Sequence, residues 1–288
     1  MKDLLEISYF LGINFIQGEG EISMDQSKYI MKILDKFSMS DCKPRSTPCE
    51  VKVGNHSDQN EKVDPKRYRE IVGSLIYLAT CTRPDIAWVV GRLSQNLADP
   101  RVEDLVTAKH VLRYLKGTVE YKVKYRKSHP ESVKLTAYSD SDWGNSADRK
   151  STTGYCFFLN DESAPISWRA KRQATVALST CEAEYMALGA TTQEALYLLQ
   201  LLGGMFGDKL HCAYIKGDNQ GAIALCKDPV FRQRSKHVDI KYHFIRSVLK
   251  EGKIHLQYCP TEQMVADLLT KPATKAKLQT FKRFIFRS

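Results

Sequence analysis

No apolar run in the sequence approaches the roughly 18–20 residues that a membrane-spanning helix needs. The first residues lack a basic stretch followed by a short apolar one, so no signal peptide is expected and an intracellular setting, cytoplasmic or nuclear, is the default. The eight cysteines stand singly, with no C-x-x-C pair among them. That pattern argues against a zinc ribbon or knuckle and points to reduced, mostly buried thiols. No internal repeat is visible. What is present is ordinary for globular protein: 43% hydrophobic and 26% charged residues in a chain of 288, with room for two domains each burying its own core. The charge is not balanced. A net +10, from 43 basic and 33 acidic residues, favours polyanionic partners such as nucleic acid.

Periodicity divides the chain. Residues 6–24 read as a β-hairpin in which Ile7, Tyr9, Leu11, Ile13 and Phe15 alternate, Gly18-Glu19-Gly20 turns, and Ile22 and Met24 begin the return. Tyr29, Ile30, Ile33, Leu34 and Phe37 have helical spacing. Residues 41–64, with Pro44, Pro48 and Gly54, read as a linker. Pro65, Pro84 and Pro100 each open a helical stretch, and Gly117 suits a helix stop. From residue 131 the order becomes βββαβααβα. The strands are expected at 134–139, 155–159, 166–168, 212–215 and 254–258, with a long helix from Ser179 to Leu202 closed by Gly203-Gly204 and a short last helix over 263–269. That order implies an α/β fold with a mixed five-stranded sheet flanked by helices. The division expected is 1–50 (hairpin plus helix), 51–130 (helical region), 131–273 (α/β domain) and 274–288 (basic tail).

Four carboxylates stand out in the third region. Asp140 closes the first strand, as a turn residue or as a ligand projecting from the sheet edge, with Asp142 as a rival. Ser179 and Glu182 fit a capping box, which gives Glu182 a structural task. Glu184 has no such task. It lies in line with Leu188, Thr191, Ala195, Leu198 and Leu202, the stripe that should pack on the sheet, and there it needs a positive partner, either a cation or a basic side chain. Asp218 follows a strand and precedes a helix, where an Asp serves as an N-cap or joins a ligand site. Asp267 sits beside the apolar Met264 and Leu268 in a short helix. Convergence of the four would require divalent cations, and oxygen-only ligands suit Mg²⁺ or Mn²⁺.

The segments that hold these acids are Tyr-Ser-Asp at 138–140, Glu-Ala-Glu-Tyr-Met-Ala-Leu at 182–188, Gly-Asp-Asn-Gln at 217–220 and Ala-Asp-Leu-Leu-Thr-Lys-Pro at 266–272. With Asp-Arg-Lys-Ser-Thr-Thr-Gly-Tyr at 148–155, Lys-His-Val-Asp-Ile at 236–240 and Tyr-His-Phe-Ile-Arg at 242–246, they resemble the ribonuclease H part of Ty1/copia-type retrotransposon Pol polyproteins, over about Lys134 to Pro272. Upstream, Ser-Thr-Pro at 46–48, Gly-Ser-Leu-Ile-Tyr-Leu at 73–78 and Thr-Arg-Pro-Asp-Ile at 82–86 are similar to the end of the reverse-transcriptase palm and the thumb or connection after it. The resemblance implies a ribonuclease H-like fold. It also implies Asp140, Glu184, Asp218 and Asp267 as catalytic and metal-binding residues, two Mg²⁺ ions (Mn²⁺ substituting), and an RNA–DNA hybrid as substrate. The family's Tyr-x-Asp-Asp polymerase motif is absent, so no polymerase activity is expected from this chain alone. Gly217 departs from the family's usual residue before Asp218 and is expected to loosen that strand end. No histidine lies between Cys259 and Asp267, where bacterial-type enzymes carry a helper.

Arg149, Lys150, Arg169, Lys171, Arg172, Arg232, Arg234 and Lys236 form a basic set suited to gripping a nucleic-acid backbone, with Trp143, Trp168, Asn219, Gln220 and His237 beside it. The alternative for any one of the basic residues or tryptophans is a solvated surface charge or a core aromatic. The other parts of a Pol polyprotein are the expected protein partners. The competing reading is a catalytically silent nucleic-acid-binding remnant of a retroelement, or a fragment with no role.

Overall fold

In a computed structural model, residues 6–51, 63–129, 133–144, 148–206, 210–227 and 236–287 are described, with backbone alone for 206 and 236–242. The described chain forms two units, Met1–Lys127 with Glu162–Ala164 and Pro272–Ser288, and Ser128–Asp161 with Pro165–Lys271.

The first unit begins with β1 (Tyr9–Phe10), β2 (Ile13–Gly18) and β3 (Glu21–Asp25). The first strand is shorter than its alternation suggests. Leu11 and Gly12 both take left-handed backbone angles (φ +48° and +76°), so β1 folds back antiparallel on β2 instead of continuing it. The Tyr77 hydroxyl holds this turn by donating to the Leu11 carbonyl. A two-residue turn with Gly20 at φ +76° joins β2 to β3. Helix α1 (Ser27–Lys36) buries Ile30, Ile33 and Leu34, the face its spacing predicts. Pro65 stands at the first turn of α2 (Pro65–Cys81), where the Asp64 side chain accepts the Lys66 N–H at 2.9 Å. The Pro84 stretch is broken into a 3₁₀ turn (Pro84–Ile86), α3 (Ala87–Leu93) and a second 3₁₀ turn (Ser94–Asn96); α4 spans Val102–Lys116. Gly117 ends α4 with a negative φ of −76°; it is close-packed rather than left-handed, since a Cβ there would lie 3.1 Å from that of Pro44. Sequence periodicity did not reveal β4 (Val123–Arg126), which pairs with β3 and ties the hairpin to the helices across about a hundred residues.

At the centre of this unit lies Arg83, fully buried. Its guanidinium donates to both Asp85 oxygens (2.9 and 2.8 Å), to the Thr118 carbonyl (3.1 Å) and to the Thr118 hydroxyl (2.6 Å). The Tyr114 hydroxyl donates to Asp85 at 2.6 Å, and the rings of Tyr114, Tyr121 and Phe286 surround the guanidinium at 5.5–5.7 Å.

The second unit is a five-stranded sheet of order β7-β6-β5-β8-β9, built from β5 (Leu135–Asp142), β6 (Thr152–Phe158), β7 (Ser167–Arg172), β8 (Ala213–Gly217) and β9 (Ile254–Tyr258). β5, β6 and β7 form an antiparallel meander, whereas β8 runs parallel to β5 and β9 parallel to β8. This is the mixed α/β sheet expected from the order of elements. The helices are α5 (Thr180–Phe206), α6 (Gln220–Lys227) and α7 (Lys236–Lys250). The α5 stripe Leu188, Thr191, Ala195, Leu198 and Leu202 is buried as predicted. Gly203-Gly204 do not stop the helix, which runs on to Phe206. Gly217 does not loosen β8. It stays paired with Tyr258, its carbonyl accepts the Cys259 N–H at 2.9 Å, and a Cβ there would meet Leu188 and Ile223 at ordinary contact distance. The expected last helix is instead two 3₁₀ turns, Thr261–Gln263 and Val265–Leu269. The segment read as a basic tail forms α8 (Lys275–Ile285), whose buried Leu278, Phe281 and Ile285 belong to the first unit.

Removing one partner of a buried ion pair leaves an uncompensated charge. Arg83→Met is therefore expected to destabilise the first unit by about 3–5 kcal/mol. Urea unfolding monitored by tyrosine and tryptophan fluorescence checks this, and a loss under about 1 kcal/mol would assign the pair no structural weight.

Candidate active site

Four elements meet where β5 and β8 end. β5 alternates: Leu135, Ala137 and Ser139 face the core, and the hydroxyl of Thr191 on α5 donates to Ser139 at 2.8 Å. Asp140 consequently lies on the opposite face, where the turn Val265–Leu269 covers it. That cover requires Gly154, the antiparallel partner of Asp140. A Cβ at 154 would stand 2.7 Å from Thr270 Cγ2, 2.8 Å from Leu269 Cβ and 3.0 Å from the Ala266 carbonyl. Thr270, itself fully buried, donates its hydroxyl to Asp140 Oδ2.

Glu184 and Asp218 arrive from α5 and from the end of β8. Both sit beside a neighbour that takes over the local capping task. Ser179 accepts the Glu182 N–H (3.1 Å), and Glu182 reaches back one residue beyond the cap expected for it, to the Leu178 N–H at 2.9 Å. Glu184 is thereby left to the cluster, where its Oε1 accepts the Ser141 N–H at 3.0 Å. At the other strand end Asn219 caps α6 by accepting the Ala222 N–H at 2.9 Å, so Asp218 is not the cap. Its Oδ2 accepts the Thr261 hydroxyl at 2.9 Å. Asp140, Glu184 and Asp218 each offer a carboxylate oxygen, all within 4.8 Å of one another. Asp142, the rival of Asp140, lies half-exposed at the end of β5, outside this group.

Asp267 is buried on the 3₁₀ turn that covers Asp140, but it is not one of the three. Its carboxylate forms an ion pair with Lys271, one helical turn on. Thr270, Lys271 and Gly154 escaped the sequence reading as site residues, although all three stand inside the motifs quoted. The usable signals were a glycine opposite an acidic strand end and a lysine four residues after a buried aspartate.

Burial dominates the electrostatics. It pushes the Asp140 carboxyl up to about 6; the Thr270 hydroxyl and Lys271 oppose the rise, and the charges of Asp267 and Asp218 add to it. Burial together with the charges of Asp140 and Asp218 drives Glu184 higher, to about 9, against the Ser141 N–H. Lys271 is shifted the other way. Burial works against its charge, but Asp267, Asp140 and Asp142 hold its ammonium above the ordinary range. Three carboxylates brought together from three separate elements fit a hard divalent cation such as Mg²⁺, which oxygen ligands favour.

The basic set is spread more widely. Arg149, Arg169, Lys171 and Arg172 are exposed and Lys150 is half-buried. The pleat of β7 puts Arg169 and Lys171 on one face and Trp168 and Arg172 on the other. Arg172 and Lys150 flank Asp148 at 3.4 and 4.0 Å. The Trp143 indole donates to the Ala177 carbonyl at 3.0 Å, and Gln220 is exposed at the start of α6. Arg232 and Arg234, and the side chains of Lys236 and His237, lie outside the described residues.

A family model described as reverse transcriptase (RNA-dependent DNA polymerase) matches residues 1–51. The chain is 39% identical over 98% of its length to the retrovirus-related Pol polyprotein from transposon RE1 of Arabidopsis thaliana, and 35% identical over 99% to that from transposon TNT 1-94 of Nicotiana tabacum. It spans 19% and 22% of those proteins. An uncharacterized mitochondrial protein of Arabidopsis thaliana is 43% identical over 67% of this chain and 79% of its own. Among solved structures, similarity extends to the N-terminal ribonuclease H domain of a Mycobacterium tuberculosis protein (18% identity, TM-score 0.38, 52% of this chain and 99% of that one). It extends also to a foamy viral protease–reverse transcriptase in complex with RNA/DNA hybrid (13%, TM-score 0.46, 90% and 31%). The chain belongs to the Pol polyproteins of Ty1/copia-type retrotransposons.

Two outcomes follow from the site. Gly154→Ala is expected to lift the covering turn from β6 and to cost about 1–3 kcal/mol, read by urea unfolding. Asp140 and Glu184 both have folded pKa values raised above the usual range near 4, so without ions their contribution favours folding at low pH. It declines as pH rises from about 4 through about 6 for Asp140 and on towards about 9 for Glu184. Thermal unfolding in a chelator should show stability falling between about pH 5 and 8, less steeply in Glu184→Gln. Equal slopes would contradict the shift.

Proposed function

We propose that the second unit cuts the RNA strand of RNA–DNA hybrids, as the ribonuclease H part of a retrotransposon Pol polyprotein. The observation that carries this reading is the convergence of Asp140, Glu184 and Asp218 within 4.8 Å, in a chain of this family. Asp140, Glu184, Asp218 and Asp267 would hold two Mg²⁺ ions, with Mn²⁺ able to substitute. Bound there, such ions activate a water and stabilise the leaving oxygen in phosphodiester hydrolysis.

The chain's own residues prepare that chemistry. Thr270 and the Ser141 N–H fix the orientation of Asp140 and Glu184, and Thr261 fixes that of Asp218. The exposed Arg149, Arg169, Lys171 and Arg172, with Lys150, would bind backbone phosphates, a grip that weakens with salt and ignores sequence. Lys236, His237 and Arg234 would extend that grip, and Trp168 and Gln220 would pack on sugars. Asn219 is engaged as the α6 cap, so its part is to position its neighbour Asp218. Other segments of a Pol polyprotein are the protein partners this reading implies.

The test is cleavage of a labelled RNA–DNA hybrid by the full chain in Mg²⁺. Asp218→Asn is expected to lose at least about a hundredfold in rate while keeping its fold by circular dichroism. Well-folded wild-type protein that binds the hybrid but cuts it in neither Mg²⁺ nor Mn²⁺ would sink the proposal in favour of a silent binding remnant.

A further inference from the structure

The acidic end of the sheet is neutralised on one side only. Lys271 pairs with Asp267, and its charge is felt by Asp140 and Asp142 as well. Glu184 has no such counter-charge among the groups that chiefly set its state: burial, Asp140 and Asp218 raise it, and only Ser141 opposes them. The acid that Lys271 holds in a direct ion pair is the one left out of the group whose oxygens approach one another, although the lysine's charge also reaches Asp140. Geometry keeps the lysine there. The Lys271 and Thr270 N–H groups both donate to the Asp267 carbonyl (3.3 and 3.4 Å), and Thr270 is pinned to Asp140. The Lys271 side chain is nonetheless partly exposed, whereas the Asp267 side chain is almost wholly covered, so the ammonium has a route out to water and the carboxylate has none.

We infer that Lys271 is a resident counter-cation of the Asp267 side of the site, so that two divalent ions load unequally. The inference rests on the metal-binding reading above. One ion is taken by Asp140, Glu184 and Asp218, the carboxylates that meet one another while Lys271 is held in its pair with Asp267. An ion that uses Asp267 must first displace the Lys271 ammonium, and its affinity is lowered by the attraction it has to replace. Lys271 is a positioning residue in this scheme. It keeps Asp267 oriented and charge-compensated until the second ion arrives.

Calorimetric titration of the full chain with Mn²⁺, with bound ions counted by electron paramagnetic resonance, separates the two sites without using activity. Wild type should show one tight ion and one weak ion. Lys271→Gln should tighten the weak site about tenfold or more and leave the tight one within about twofold, whereas Lys271→Arg, which keeps the charge, should stay like wild type. Lys271→Met, which keeps the aliphatic stem, serves if the glutamine variant unfolds. A tight ion with a second site indifferent to Lys271→Gln and Lys271→Met overturns the inference and spares the metal-site reading. No tight ion in wild type overturns both.

Discussion

Two carboxylates buried within reach of each other are costly, and the second unit is arranged around that cost. Asp140 and Glu184 are both almost wholly covered; burial raises both carboxyls, and the charge of Asp140 raises Glu184 further. A protein does not place such groups together unless something offsets their repulsion. Here the offsets are a buried threonine hydroxyl, one backbone N–H and one lysine, which leaves room for cations and asks for them. The parallel pairing of β8 with β5 brings Asp218 to the same edge as Asp140. The absence of a side chain at Gly154 lets the turn bearing Asp267 and Thr270 close over it. Sheet order, one glycine and one 3₁₀ turn thus serve a single electrostatic arrangement.

The same economy governs the helix starts that border the site. At both, two polar residues stand close together, and the structure divides their work. Glu182 and Asn219 close the first turns of α5 and α6, while Glu184 and Asp218 are released to the cluster. Had Asp218 been the cap, its oxygen would have pointed along the helix axis instead. The first unit provides a contrast. Its buried Arg83 and Asp85 are paired with each other and with Thr118 and Tyr114, so that pair offers no unmet charge to a ligand. The Thr-Arg-Pro-Asp-Ile motif at 82–86 is therefore a scaffold feature, whereas the acidic motifs of the second unit are built around a deficit.

What the sequence made legible was whatever depends on local spacing. The α5 stripe ending on Glu184 could be read because a 3.6-residue period shows which side chains share a face, and the capping box at Ser179 showed which glutamate was already occupied. The five strands of the sheet followed from alternation and turn residues. Features set by distant partners were not legible. β4 is four residues long and acquires strand geometry by pairing with residues a hundred positions earlier. The break of the first strand at Leu11-Gly12 depends on a hydroxyl from Tyr77. The 3₁₀ form of 261–269, and with it the placement of Thr270 on Asp140, depends on the close approach that Gly154 permits. Local sequence supplies the acids, but their convergence is a long-range fact.

Every residue of the cluster, and every side chain that orients it, belongs to the second unit, while the reverse-transcriptase match is confined to residues 1–51 of the first. The relatives that match nearly the whole chain are about five times longer. Among the described residues, the site is assembled from side chains of the second unit alone. Binding is less self-contained than the geometry of the acids. The three basic side chains of β7 divide two and one between the faces of an edge strand, Arg169 and Lys171 on one and Arg172 on the other. The carboxylates define where a cation could be held. The split of Arg169 and Lys171 from Trp168 and Arg172 leaves neither face of β7 with the whole basic set.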